Sequence, residues 1–140
     1  MKFLLLAAVL TAVTVGDHIV PATIIGVYDG DTITVRAQVW PNSYWEGKVR
    51  LRGVDTPELG GRAKCPEEAE AALRARTLVQ RYIGQRVLVI NPANGKYAGR
   101  IIADVITEDG KFLDEVLMEA GLAREYGGGK RGTWCPTRAG

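Results

Sequence analysis

Asp29-Gly30 is the tightest constraint on how this chain can fold, because the pair stands between two short apolar runs and asks for an immediate reversal. Ile24 and Val27 precede it and Ile33 and Val35 follow it, so two antiparallel strands are predicted within residues 21–36. A third strand is expected over residues 48–53, where Val49 and Leu51 alternate with Arg50 and Arg52. Between them, residues 40–48 read as a loop carrying three aromatic side chains, Trp40, Tyr44 and Trp45.

Beyond Gly60-Gly61, Pro66 begins a helix at the position proline favours. Glu67, Glu68 and Glu70 complement the dipole of its first turns. Ala69, Ala72, Leu73, Val79, Tyr82 and Ile83 form the expected inner stripe, and Gly84 ends it. A short strand is expected at residues 86–90. A hairpin follows, with residues 100–107 meeting a short piece after Gly110, and then a second helix over 113–120 with Val116, Leu117 and Ala120 inward. Short strands, Gly-rich connections and two helices describe an α+β, mainly β, chain arranged as a small closed or partly open barrel.

Residues 1–15 stand apart. One lysine, Lys2, precedes an unbroken run of small and apolar residues from Phe3 to Val13, shorter than the roughly 20 residues that span a bilayer as a helix. This is the pattern of a secretory signal, with Thr14-Val15-Gly16 placing small residues before a cut after Gly16. Residues 1–16 are therefore expected to leave, and residues 17–140 to form one domain in a secreted or periplasmic protein. An uncleaved anchor or an N-terminal core strand is the alternative.

The formal charge of +2 falls to +1 without Lys2, so nucleic-acid contact would depend on a few placed arginines rather than a polybasic field. The two cysteines, Cys65 and Cys135, lie too far apart for the close-pair zinc patterns. In an exported chain they read as one disulfide, closing a loop of about 70 residues. Two unrelated buried thiols are the other reading.

The chemistry gathers between Asp29 and Glu58. Asp29-Gly30-Asp31-Thr32 and Val54-Asp55-Thr56-Pro57-Glu58 supply four carboxylates at strand edges, with Arg50 just before the second group. Hard carboxylate oxygens beside a guanidinium suit a divalent cation and a phosphate. Either acidic cluster alone is more simply a capped turn or a solvated loop, and Arg50 and Arg52 alone are two surface charges on one strand face. Arg100, opening an apolar strand, is equally well an edge-strand charge. The chain lacks a Ser-His-Asp set, a P-loop and a nucleophilic cysteine, and His18 is its only histidine. Proton transfer would fall to a carboxylate, and Glu58 is the natural candidate.

Taken together, these residues resemble the staphylococcal nuclease (thermonuclease) family. The matching stretches are Pro21-Ala22-Thr23, Asp29-Gly30-Asp31-Thr32, Val49-Arg50-Leu51, and Gly53-Val54-Asp55-Thr56-Pro57-Glu58. They continue at Lys96-Tyr97, Gly99-Arg100, Ala103-Asp104-Val105 and Gly121-Leu122-Ala123. The resemblance implies a five-stranded OB-fold barrel with two packed helices and calcium-dependent endonucleolytic hydrolysis of DNA and RNA, leaving 3′-phosphate ends. It implies calcium on Asp31, Asp55 and the backbone carbonyl of Thr56, with Asp29 just beyond. Glu58 would act on the attacking water, and Arg50 and Arg100 would grip the phosphate. Lys96, Tyr97 and Tyr126 would bind the substrate, single-stranded DNA or RNA. No long apolar patch or heptad in the sequence argues against a monomer, and no membrane contact is expected once the signal is gone.

The sequence departs from the family pattern in three places. The run before Arg100 is Gly95-Lys96-Tyr97-Ala98-Gly99, with no aspartate and one extra residue. The loop after Glu58 is shorter than in the best-known member. That member's last helix is replaced by Gly127-Gly128-Gly129-Lys130 and a Trp134-Cys135 anchor, and a Cys65–Cys135 bond would substitute by pinning the tail near the first helix. The competing reading is a catalytically inactive OB-fold module that binds nucleic acid or a protein.

Overall fold

A computed structural model describes residues 16–96 and 99–137. The signal expected in residues 1–16, apart from Gly16, and the expected substrate-binding residue Tyr97 lie outside the described residues.

The Asp29-Gly30 reversal forms as expected. Strands β1 (Ile19–Asp29) and β2 (Thr32–Trp40) pair antiparallel on either side of it. Strand β3 (Ser43–Leu51) returns beside β2, then β4 (Val54–Asp55), a 3-10 turn at Gly60–Arg62 and helix α1 (Pro66–Gln80) follow. Strands β5 (Arg86–Asn94) and β6 (Arg100–Ile106), helix α2 (Leu113–Glu119) and strand β7 (Arg124–Glu125) complete the order. The five long strands close a barrel in the order β1-β2-β3-β6-β5, with β3 and β6 parallel and every other pair antiparallel. This is an α+β OB-fold.

Its interior follows the period of two. Ile24, Ile33, Val35, Val49, Leu51 and Val105 are all at most 1% exposed, and burying each such side chain is worth about 1.5–3 kcal/mol.

Three local expectations are corrected. Residues 40–48 form a hairpin, not a loop, because Asn42 takes a left-handed turn (φ 61°) that lets β2 run to Trp40 and β3 start at Ser43. Trp45 folds over Gly47, where even a Cβ would meet its ring at 2.3 Å, and packs against the core at one end of the barrel. Trp40 and Tyr44 stay exposed.

The inner stripe of α1 is Glu68, Ala72, Ala75 and Val79, whereas Leu73 and Ile83 face outward. The helix is turned by two contacts that the apolar pattern does not contain. The Glu68 carboxylate accepts the backbone N–H groups of Glu58 (3.0 Å) and Lys64 (2.8 Å). Ala75 lies against Gly30, where an added Cβ would sit 2.8 Å from the Ala75 Cβ and 3.2 Å from Thr56 Cγ2. Gly30→Ala is therefore expected to force helix and turn apart and cost about 1–3 kcal/mol. Urea denaturation measures this, and an unchanged midpoint would show that the contact is slack.

The third correction concerns α2, whose buried residues are Leu113 and Leu117, with Val116 half-buried and Ala120 exposed. Among the described residues, no helix is long and apolar enough to cross a membrane.

The short ribbon of β4 and β7 has no counterpart in the sequence reading. It pairs Val54 with Glu125 and Asp55 with Arg124, delivering the C-terminal tail to the segment that carries Asp55, Thr56 and Glu58.

Candidate active site

Asp31 directly precedes β2 in the Gly30 turn, and its side chain is 9% exposed. Oδ1 accepts the Thr32 hydroxyl at 2.9 Å and Oδ2 accepts the Thr56 hydroxyl at 3.0 Å. The second bond joins the hairpin to the segment after β4, across 25 residues of sequence. Arg50 lies opposite Thr32 in the β2–β3 register, and its Nη2 approaches Asp31 Oδ2 at 3.4 Å. Its Nη1 donates to the Leu51 carbonyl at 2.6 Å. Arg52, its neighbour in the sequence pattern, has a structural task instead. It donates to Asp104 Oδ2 at 3.0 Å and to the carbonyls of Asn91 and Ile102.

Asp55 is 2% exposed. Its Oδ2 accepts Trp134 Nε1 at 3.1 Å and lies 3.8 Å from Arg124 Nη2. Its Oδ1 accepts no hydrogen bond and faces Arg131 Nη1 at 3.5 Å. Glu58 stands further out, with its carboxylate 2.6 Å from the same Arg131 nitrogen. Desolvation of the Asp29 carboxyl pushes its pKa up to about 7, and the charges of Asp31 and Glu58 add to the push. Burial, with the nearby Asp31 and Glu58 charges, thus disfavours the ionised form of Asp29. The Asp55 oxygen that accepts no hydrogen bond is what a bound cation would relieve.

The structure therefore brings Asp31, Arg50, Asp55, Thr56 and Glu58 into one neighbourhood. Arg100 opens β6 in register with Lys48, while Arg50 is in register with Ile102. Since Val49 and Leu51 point into the core, Lys48, Arg50 and Arg100 share the outer face of the neighbouring strands. Lys96 lies exposed in the turn between β5 and β6. Tyr126, expected to bind substrate, follows β7 at the start of the tail. Its hydroxyl donates to the Gly129 carbonyl at 2.7 Å, and the Arg131 guanidinium lies 5.4 Å from its ring centre. Among the described residues, no three His, Cys, Asp or Glu side chains are grouped to hold a metal by themselves.

Four participants escaped the sequence reading. Glu68 was expected only to complement a helix dipole, yet it holds the Glu58 loop in place. It stands three residues after the helix-capping Cys65, the spacing at which a glutamate reaches back to the chain before a helix. Arg124, Arg131 and the Trp134 indole come from the tail. Trp134 was expected as part of the tail's anchor, but not as a partner of Asp55.

Cys65 and Cys135 are bonded, with Cα atoms 5.9 Å apart, which fixes the tail at the start of α1. A cleft of about 560 Å³ opens between this tail and the barrel, with Asp55, Thr56 and Glu58 on one side and Lys130 to Trp134 on the other.

No curated protein matches the chain. The family described as staphylococcal nuclease homologue matches residues 48–133, a stretch that includes Arg50, Asp55, Thr56, Glu58 and Arg100. As that stretch is more than half of the chain and falls on an OB barrel, the protein belongs to the staphylococcal nuclease family of nuclease-type hydrolases.

Proposed function

We propose that residues 17–140 form a secreted or periplasmic endonuclease that hydrolyses single-stranded DNA and RNA with calcium and leaves 3′-phosphate ends. The observation that carries this reading is the Thr56–Asp31 hydrogen bond beside Arg50. It joins the two distant segments that carry the carboxylates and lies beside a guanidinium suited to phosphate. The Cys65–Cys135 bond supports placement in an oxidising compartment.

The donor set fits a hard cation. Asp31, Asp55 and the Thr56 carbonyl would hold calcium, with water completing its preferred six to eight oxygens. When bound, calcium polarises a phosphoryl oxygen and offsets charge building on the phosphate. The rest is done by the protein. Arg50 turns from Asp31 and the Leu51 carbonyl to form paired hydrogen bonds to the phosphate, which the fixed fork of a guanidinium allows and a lysine ammonium does not. Arg100 adds positive charge from the same sheet face. Glu58 takes the proton of the attacking water as the new phosphorus–oxygen bond forms, and the 5′-oxygen leaves with the electrons of the broken bond.

A gel assay on single-stranded DNA and RNA, with calcium and with a chelator, tests the reading. Cutting that needs calcium is expected, and cutting at full rate in chelator would remove the metal assignment. Binding without cutting under any condition would leave the inactive module. Asp31→Asn keeps an acceptor oxygen for one of the two hydroxyls, Thr32 or Thr56, and removes the charge. It should raise the calcium concentration for half-maximal activity by about tenfold or more, since ligand charge sets calcium affinity over decades. A calcium midpoint equal to that of the unaltered protein would take Asp31 out of the metal site.

A further inference from the structure

The tail is fastened on both sides of one dipeptide, Lys130-Arg131. Before it, the Tyr126 amide donates to the Gly53 carbonyl at 2.8 Å, and Gly128 and Gly129 turn the chain with φ of 101° and 80°. After it, Arg124 donates to the carbonyls of Gly132 (2.7 Å) and Thr133 (2.8 Å) and stacks 4.0 Å from the Trp134 ring. The Cys135 bond to Cys65 then closes the strap. A Gly-rich segment with this many fastenings presents its apex in a fixed place.

The apex does more than neutralise Asp55. Asp55 Oδ2 already has the Trp134 indole and the Arg124 guanidinium beside it. Arg131 instead reaches to the outermost carboxylate, Glu58, and its side chain remains 44% exposed on the cleft. Lys130, Arg62 and Lys64 line the same cleft. The cleft thus carries charges of both signs, with Lys130 and Arg131 on the tail side and the Arg131 guanidinium lying across Glu58, the residue assigned to proton transfer. A phosphate entering this cleft meets a fork-shaped donor whose present partners are the partly solvated Glu58 carboxylate at 2.6 Å and the buried Asp55 carboxylate at 3.5 Å.

We propose that Arg131, assisted by Lys130, is a substrate-binding residue that holds a phosphate of the nucleic-acid strand adjacent to the scissile one, on the tail side of the cleft, and frees Glu58 as it does so. This rests on the nuclease reading above. It adds a second, tail-borne wall to a site otherwise built from the barrel.

The test measures binding of a phosphorothioate single-stranded oligonucleotide by fluorescence anisotropy, in chelator, over a series of potassium chloride concentrations. Arg131→Gln is expected to weaken binding about tenfold, as for loss of a charge-assisted hydrogen bond. It should also flatten the dependence of log affinity on log salt by about 0.7, the value for one phosphate on a single strand. Lys130→Gln should show a smaller loss in the same direction. Arg131→Lys should retain the slope while binding more weakly, because charge remains and the fork is gone. In calcium-supported cleavage, Arg131→Gln should raise KM.

An unchanged salt slope in Arg131→Gln, with a thermal midpoint equal to that of the unaltered protein, would overturn the proposal. Faster cleavage by Arg131→Gln would overturn it too and make Arg131 a latch on Glu58. If the unaltered protein never cuts but its binding depends on Arg131 in this way, the nuclease reading fails and the phosphate site stands. If it cuts and the slope ignores Arg131, only the phosphate site fails.

Discussion

Glu58→Gln is expected to lower the rate of single-stranded DNA cleavage by about 10²–10⁴-fold, the range that a positioned general base contributes. The substitution is clean here because the loop does not depend on the carboxylate for its shape. Glu58 is held by its backbone amide, which donates to Glu68 at 3.0 Å. A glutamine retains an oxygen for the Arg131 guanidinium and cannot take up a proton. The lost charge pair is partly solvated, with side-chain exposures of 44% and 26%, so stability should change by less than about 1 kcal/mol. Oligonucleotide binding in chelator should persist in this variant. A variant that cuts at the rate of the unaltered protein would mean that the proton leaves by another route, and Glu58 would lose its assigned role.

The same residue shows what a sequence can and cannot disclose. The hairpin at Asp29-Gly30, the strand through Val49 and Leu51 and the proline-led helix are local patterns. Each is written in a few adjacent residues, and each formed in place. The rotation of α1 is different. It is set by Glu68 binding backbone amides in the Glu58 loop and by Ala75 meeting Gly30, so a stripe chosen by hydrophobicity put Leu73 inside and Ala75 outside. A buried glutamate satisfied by two N–H groups looks, in sequence, like one more charge in a helical first turn.

The candidate site divides along the same line. Asp31, Arg50, Asp55 and Glu58 come from segments that flank a strand edge, where the alternation of strand residues fixes which side chains point together. Arg124 and Arg131 reach the cleft through a two-residue ribbon and a disulfide 70 residues long in sequence separation. No periodicity announces such contacts. The three glycines before Lys130 marked a break in regular structure but did not indicate where the tail would run.

That disulfide carries the second large expected effect. A bond closing a loop of this length removes chain entropy from the unfolded state worth about 4 kcal/mol. The choice of replacement matters, because Cys65 is the residue that precedes α1 and its side chain makes no capping hydrogen bond. A serine at position 65 would add such a cap, worth about 1 kcal/mol, and hide part of the loss. Cys65→Ala/Cys135→Ser avoids this. The double variant should melt about 10–20 °C below the oxidised protein, given the usual few degrees per kcal/mol for a domain of this size. Equal melting temperatures would show that the tail is held by the Arg124 and Trp134 contacts alone. Below its melting point, the variant separates two roles of the tail. The barrel residues Asp31, Arg50 and Asp55 do not depend on the bond for their mutual placement, whereas Lys130 and Arg131 depend on it for theirs. Calcium-supported cleavage should therefore survive in the cold with a raised KM, and the salt dependence of oligonucleotide binding should flatten as it does in Arg131→Gln. A variant that melts early yet keeps the full salt slope would place the bond's contribution in stability alone and leave Arg131 positioned by its own ion pairs.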